Sequence, residues 1–366
     1  MGQKIKIFII DDTVTYRMIF TKAIEAIPEA ELAGVATGGA SALVKLKNAK
    51  PDLVLLDIHM PEMNGVETLK KIKEQDPGLP VIMVSGTSTR DADETIEALE
   101  LGALDFIQKP QEGRSSQQNI EMLTQDICSR LKVISTEFQR DVVQAPKQKP
   151  TPSKKKITHA ESPSTTAVDL VLIGVSTGGP QALRTIIPQL PKNLSVPVLI
   201  VQHMPPGFTQ SLAEHLDTST MLSVHEAHDG ETIQNGSIYI APGDFHMIVE
   251  ESDCMLIRIT QTEPVQSCRP SVDVLFESVS KLKNKSILSI ILTGMGRDGT
   301  EGVRLLKKQI NCYSISQDKD SCVVYGMPRA LEAEALSDEV TPLDEIGSRI
   351  GEICQEGIPA MNLSQT

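Results

Sequence analysis

Lys4-Ile-Lys-Ile-Phe-Ile-Ile-Asp11-Asp12 is an apolar run that ends abruptly on two carboxylates. The pattern returns along the chain. Leu53-Val-Leu-Leu-Asp57, Val81-Ile-Met-Val-Ser85 and Phe106-Ile-Gln-Lys109 each carry a short apolar run onto a chemically loaded residue. Runs this short, rich in β-branched residues and bounded by turn formers, read as buried strands. Strands are therefore expected at Lys4–Ile10, Glu31–Ala36, Leu53–Leu56, Val81–Val84 and Phe106–Ile107. Helical periodicity falls between them, near residues 15–27, 38–48, 64–75, 91–101 and 115–136. This alternation predicts a flavodoxin-like (βα)5 domain with a parallel sheet and right-handed crossovers.

The alternation stops where prolines and lysines accumulate. Pro146, Pro150, Pro152 and Pro163 are interleaved with Lys147, Lys149, Lys154, Lys155 and Lys156, and few apolar residues are present to offset the entropy of ordering. Such a stretch reads as a flexible linker. Beyond it, strands are expected at Asp169–Ile173, Val196–Val201, Ile287–Thr293 and Cys312–Ser316, with helices from Pro180, near 208–216, from about 300 and near 327–335. A turn-punctuated, β-rich stretch from about 220 to 262 interrupts them. The fold class is α/β, with two parallel-sheet domains, the second doubly wound and carrying an antiparallel β insertion. The expected divisions are residues 1–136, a linker at 137–165, a second domain at 166–358 and a tail at 359–366.

Composition narrows the function. A formal net charge of −13 disfavours nucleic acid and anionic membranes as partners, and the absence of Trp removes a common stacking platform for single strands. The six Cys show no C-x-x-C pair and no metal-ligand spacing, which suits reduced thiols. Met-Gly-Gln-Lys leads straight into a strand, so neither a signal peptide nor membrane insertion is expected, and a cytoplasmic location is.

In an open parallel sheet the carboxyl ends of the strands share one edge, where ligands collect. Asp11, Asp12, Asp57, Ser85 and Lys109 all fall there. Converging carboxylates repel unless a hard cation joins them, and Mg2+ suits a few carboxylates plus phosphate oxygens. An Asp after a strand is often only a helix cap; five such residues on one edge are not so explained.

Residues 1–136 resemble a response-regulator receiver domain, through the Asp11-Asp12 pair, Leu-Leu-Asp57-Ile-His-Met-Pro-Glu-Met-Asn-Gly, Ser85 and Lys109-Pro110. The resemblance implies phosphorylation of Asp57 by a chemotaxis histidine kinase, with Mg2+ held by Asp12, Asp57 and partly Asp11. It implies a further Mg2+ contact from the His59 carbonyl, a hydroxyl switch at Ser85, an aromatic switch at Phe106 and a cis bond before Pro110.

The second domain has its own loaded strand ends. Gly174-Val-Ser176-Thr-Gly-Gly-Pro180 matches the nucleophile elbow G-x-S-x-G, which leaves a Ser at a strand-to-helix bend near backbone N–H donors. A helix cap or a phosphate cradle competes, although no Walker Lys follows. His203 and Asp298 come after their own strands, so nucleophile, base and orienter share an edge. The order Ser, His, Asp differs from that of the α/β-hydrolases. Gly294-Met-Gly-Arg-Asp-Gly299 also matches the dinucleotide fingerprint, with Asp318 and Asp320 about 20 residues on, and local context alone leaves an oxidoreductase open. A partner-binding regulator without catalysis is the other alternative.

Residues from about 168 to 355 resemble the chemotaxis protein-glutamate methylesterases, a family that also deamidates glutamines. The matching segments include Ser176-Thr-Gly-Gly-Pro, Gln202-His-Met, Ala241-Pro-Gly-Asp-Phe-His246, Arg269-Pro-Ser-Val-Asp273, Thr293-Gly-Met-Gly-Arg-Asp-Gly299 and Ser321-Cys-Val-Val-Tyr-Gly-Met-Pro-Arg329. The resemblance implies Ser176 as nucleophile, His203 as general base, Asp298 as its orienter, the Met295 N–H as oxyanion donor and Thr177 near the substrate. It further implies methyl-accepting chemoreceptors as substrates, no cofactor for hydrolysis, and a receiver that restrains the hydrolase until Asp57 is phosphorylated.

Overall fold

In a computed structural model, residues 4–110, 115–141 and 166–358 are described. The expected linker from residue 142 and the tail at 359–366 lie outside the described residues. The chain forms two compact units, each around its own parallel sheet.

The first unit alternates strictly: β1 (Ile5–Ile10), α1 (Val14–Glu25), β2 (Ala30–Ala36), α2 (Gly39–Ala49), β3 (Leu53–Asp57), α3 (Gly65–Gln75), β4 (Val81–Ser85), α4 (Thr89–Glu100), β5 (Asp105–Gln108) and α5 (Ser116–Asp141). The sheet order is β2-β1-β3-β4-β5, all parallel. β3 and β4 are buried along their whole length, as strands covered on both faces must be. Ile7, Ile9, Leu53, Leu55 and Ile82 pack with Phe20 and Ile24 of α1 and Leu123 and Ile127 of α5. Asn64 starts α3 with a reciprocal capping box to Glu67, in which the two side chains accept from two N–H groups that a helix start otherwise leaves unpaired. α5 continues to Asp141, so residues 137–141 are helical where the linker was expected to have begun.

The second unit comprises β6 (Leu170–Val175), α6 (Gly179–Ile186), β7 (Val198–Gln202), α7 (Phe208–Asp217), β8 (Ser223–Glu226), β9 (Ser237–Ile240), β10 (His246–Glu251), β11 (Met255–Thr260), α8 (Val272–Ser280), β12 (Ser286–Ile291), α9 (Thr300–Gln309), β13 (Asn311–Gln317), α10 (Met327–Ala333), β14 (Glu339–Thr341) and α11 (Leu343–Glu356). Its seven strands run parallel in the order β14-β13-β12-β6-β7-β9-β8. Among the described residues, β10 and β11 form the antiparallel strand pair. The β-rich stretch from about 220 to 262 is thus divided: β8 and β9 extend the main sheet and a single hairpin is the insertion. β6 sits centrally, and the chain departs from it to β7 on one side and returns to β12 on the other, which makes its carboxyl end a switch point. Among the described residues no helix is long and apolar enough to cross a membrane.

Candidate active site and phospho-acceptor site

In the first unit Asp11 and Asp57 are each 1% exposed, whereas Asp12 is exposed. Carboxylate oxygens of the three lie within 4.8 Å of one another. Lys109 Nζ is 2.7 Å from Asp57 Oδ1 and 3.7 Å from Asp11 Oδ2. Burial, joined by the neighbouring Asp57 charge, pushes the Asp11 carboxyl up to about 6. Burial also raises Asp57, against the hydrogen bond and charge of Lys109. Asp11 Oδ2 and Asp57 Oδ2 are buried without any hydrogen-bond partner. Two orphaned carboxylate oxygens and a third carboxylate beside them are the donor set of a hard divalent cation, so the residues fit Mg2+. Gly65 is required here, because a Cβ would lie 2.2 Å from the Asp57 carbonyl oxygen.

Ser85 is fully buried at the end of β4, and its carbonyl accepts the Lys109 N–H at 2.7 Å. Phe106 is buried on β5. The expected cis bond before Pro110 is absent: the cis X-Pro bond among the described residues is Arg269–Pro270. Lys109 reaches Asp57 across a chain that keeps the ordinary trans isomer, so the contact imposes no need for the costlier one.

In the second unit three strand ends are laced together. The Ser176 N–H donates to the Thr293 carbonyl at 3.0 Å, and the His203 N–H to the Val175 carbonyl at 3.2 Å. Both bonds continue the sheet ladder beyond β6, where Val175 pairs with Gln202 and Gly174 with Ile291. Gln202 Nε2 donates to the carbonyls of Ser176 and His203 at 3.0 and 3.3 Å, which ties the bend to the following loop. Gly294 comes so near that a Cβ there would sit 2.8 Å from Ser176 Cβ and 2.4 Å from Met327 Sδ.

His203 Nε2 lies 2.8 Å from Asp298 Oδ2. Asp298 is 3% exposed and heavily solvated by protein. Its Oδ2 also accepts the Val272 N–H at 2.7 Å, while Oδ1 accepts the Ser271 hydroxyl at 2.9 Å and the N–H groups of Asp273 and Gly299 at 2.9 and 3.0 Å. Burial favours the neutral acid, but His203 and these donors together hold the carboxyl below its usual range. Burial likewise opposes the imidazolium of His203. The hydrogen-bonded Asp298, then Cys268, outweigh it and push its pKa up to about 9. Among the described residues no hydrogen bond joins the Ser176 hydroxyl to His203; such contacts often close only around substrate.

Several contributors lie outside the sequence reading. Ser271 and Asp273 at the start of α8 grip Asp298 and the Gly299 N–H. His246 accepts the Ser271 N–H at Nδ1 (3.2 Å) and donates from Nε2 to the Glu263 carbonyl (3.2 Å), an arrangement only the neutral ring can make; burial lowers its pKa accordingly. Cys268 Sγ lies 3.6 Å from His203 Nδ1. The Arg269–Asp273 and Ala241–His246 segments were the available signal, but their partners are set by packing. The dinucleotide reading of Gly294–Gly299 loses its footing, since Asp298 turns to His203 and a negative charge occupies the loop.

Residues 171–350 match the family described as CheB methylesterase, and residues 7–121 match the response regulator receiver domain. A protein-glutamate methylesterase/protein-glutamine glutaminase of Halalkalibacterium halodurans is 41% identical over 360 residues, spanning 97% of this chain and 100% of the relative. A protein of the same description from Desulfotalea psychrophila is 41% identical over 357 residues, 95% and 98% of the two chains. The crystal structure of the Thermotoga maritima CheB methylesterase catalytic domain is 41% identical, with a TM-score of 0.50 over 51% of this chain and 100% of that one.

Proposed function

The chain belongs to the receiver-linked protein-glutamate methylesterase/protein-glutamine glutaminase family, and from that premise we propose how its residues divide the work. It is a carboxylic ester hydrolase and glutaminase joined to a response-regulator receiver. The substrates are γ-glutamyl methyl esters and glutamines of methyl-accepting chemoreceptors, and the enzyme acts in the cytoplasm during chemotactic adaptation. The catalytic domain spans residues 166–358 and the receiver residues 1–136.

Ser176 Oγ attacks the ester or amide carbonyl as its proton passes to His203 Nδ1. That nitrogen is the one not held by a carboxylate, because Nε2 is committed to Asp298; this single observation supports the assignment. Asp298 fixes the ring and stabilises the imidazolium. The Met295 N–H, which makes no hydrogen bond among the described residues, receives the oxyanion, a service worth about 3–4 kcal/mol. Thr177 lies beside the substrate. Methanol or ammonia departs with the proton from His203, and water, deprotonated by the same nitrogen, releases the glutamate from Ser176.

Asp57 takes the phosphoryl group from a chemotaxis histidine kinase. Asp11, Asp12 and Asp57 would hold Mg2+, which when bound would neutralise charge on the phosphoryl oxygens; Lys109, 2.7 Å from Asp57 Oδ1, adds a further positive charge, and Ser85 and Phe106 respond to the new group. Phosphorylation adds nearly two charges and relieves restraint on the hydrolase. The test is methanol release from methylated chemoreceptors, with Mg2+ and acetyl phosphate. Wild type should respond to phosphodonor, Asp57→Asn should not respond, and Ser176→Ala should release none. Undiminished release by Ser176→Ala would defeat the assignment.

A further inference from the structure

Catalysis leaves one nucleophilic side chain at the site unused. Cys268 Sγ stands 3.6 Å from His203 Nδ1, the nitrogen that must take the Ser176 proton. The other ring nitrogen, Nε2, is hydrogen-bonded to the buried Asp298 carboxylate at 2.8 Å. A carboxylate behind one ring nitrogen and a thiol facing the other is the order found in protein zinc sites, where the ligating His gives its other N–H to a carboxylate.

The spacing agrees as well. A tetrahedral Zn2+ with bonds of about 2.0 Å to nitrogen and about 2.3 Å to sulfur holds the two donor atoms about 3.5 Å apart. Donor atoms of His203, Cys268 and Asp298 also gather within 4.8 Å. Neither ligand needs to be brought from elsewhere. Cys268 is pinned by mutual backbone hydrogen bonds with Val265, at 2.9 and 3.1 Å, across a tight turn at Gln266 and Ser267. His203 is pinned by Asp298 and by the sheet ladder. The thiol is half-buried, open enough to be reached by a hydrated ion.

We infer that His203 Nδ1 and Cys268 Sγ form an inhibitory site for a thiolate-seeking divalent cation, of which Zn2+ is the type. Asp298 serves it as the outer-shell carboxylate, and water completes the coordination. A cation there occupies the lone pair that Ser176 needs, so hydrolysis stops while the fold is untouched. Mg2+, which prefers oxygen, does not compete for it. The inference rests on the assignment of His203 as base, but binding itself does not.

The experiment uses the full chain with Mg2+ and acetyl phosphate in excess, Zn2+ as inhibitor and Co2+ as spectroscopic probe. Zn2+ should remove methanol release and a chelator specific for it should restore it. With each protein measured against its own uninhibited rate, Cys268→Ser should need about tenfold more Zn2+ or more than wild type for the same fractional inhibition. Co2+ should give a thiolate-to-metal charge-transfer band that Cys268→Ser abolishes; the receiver carboxylates offer only oxygen and give none. Equal Zn2+ sensitivity in the two proteins, or a band that is absent or survives in Cys268→Ser, overturns the site. A wild-type band that behaves as expected while His203→Ala still hydrolyses esters sustains the site and removes the base assignment instead.

Discussion

Asp298 Oδ2 is shared by His203 Nε2 at 2.8 Å and by the Val272 N–H at 2.7 Å, so the His203 imidazole and the start of α8 hang on one oxygen. The carboxylate is therefore both orienter and structural hub. Its charge and its acceptor geometry have separable consequences.

Asp298→Asn keeps the size of the side chain but not the charge, and its amide must turn an N–H toward one of these donors. Turnover should fall on the order of 10^3–10^4-fold. Ser176→Ala with His203→Ala should be little worse than either alone, because groups acting as one unit do not add. Steady-state kinetics of the single and double variants decide it; additive losses would mean separate sites.

Gly294→Ala probes the close approach of the loop to the nucleophile. The new Cβ would press on Ser176 Cβ and Met327 Sδ at 2.8 and 2.4 Å. Relief requires the loop or the bend to shift, at about 1–3 kcal/mol of stability. Activity should fall by more than the loss of folded protein explains. Melting temperature and kcat measured on the same preparation separate the two effects.

The pH profile follows from His203. The base must be neutral to accept the Ser176 proton, and its folded pKa is raised to about 9, chiefly by Asp298 working against burial. Raising a base's pKa moves its active form to higher pH, so kcat/KM should climb until about pH 9 rather than level near neutrality. A plateau already complete at neutral pH would contradict the raised value.

Much of this was open to inspection in the chain, for a topological reason. Ser176, His203 and Asp298 each follow an apolar strand, and parallel strands bring their carboxyl ends to one edge whatever the loops do. The same holds for Asp11, Asp57 and Lys109. The Arg269–Asp273 and Ala241–His246 segments stand out in the sequence, but the grip of Ser271 and Asp273 on Asp298, and of His246 on Ser271, does not, because packing alone brings the start of α8 and β10 to that loop. β8 and β9 extend the main sheet rather than the insertion, which the sequence does not declare because strands of four residues carry too little pattern to name their partner. α11 was missed although Ile346, Ile350 and Ile353 recur at helical spacing.

The receiver's influence is testable by removal. The Thermotoga maritima catalytic domain, 41% identical, crystallises by itself, so a fragment beginning at Thr166 should fold. It should exceed the unphosphorylated full chain in methanol release and ignore acetyl phosphate. A fragment slower than the unphosphorylated whole would show that the receiver assists catalysis.

The central claim is a covalent acyl-enzyme on Ser176. Acid quenching during turnover of a glutamyl methyl ester peptide, followed by mass analysis of the digested protein, reads it directly. The account predicts an acyl adduct on the peptide carrying Ser176, lost in Ser176→Ala. An adduct on the peptide carrying Cys268 instead, or full turnover with no adduct on Ser176 at any quench time, would contradict it.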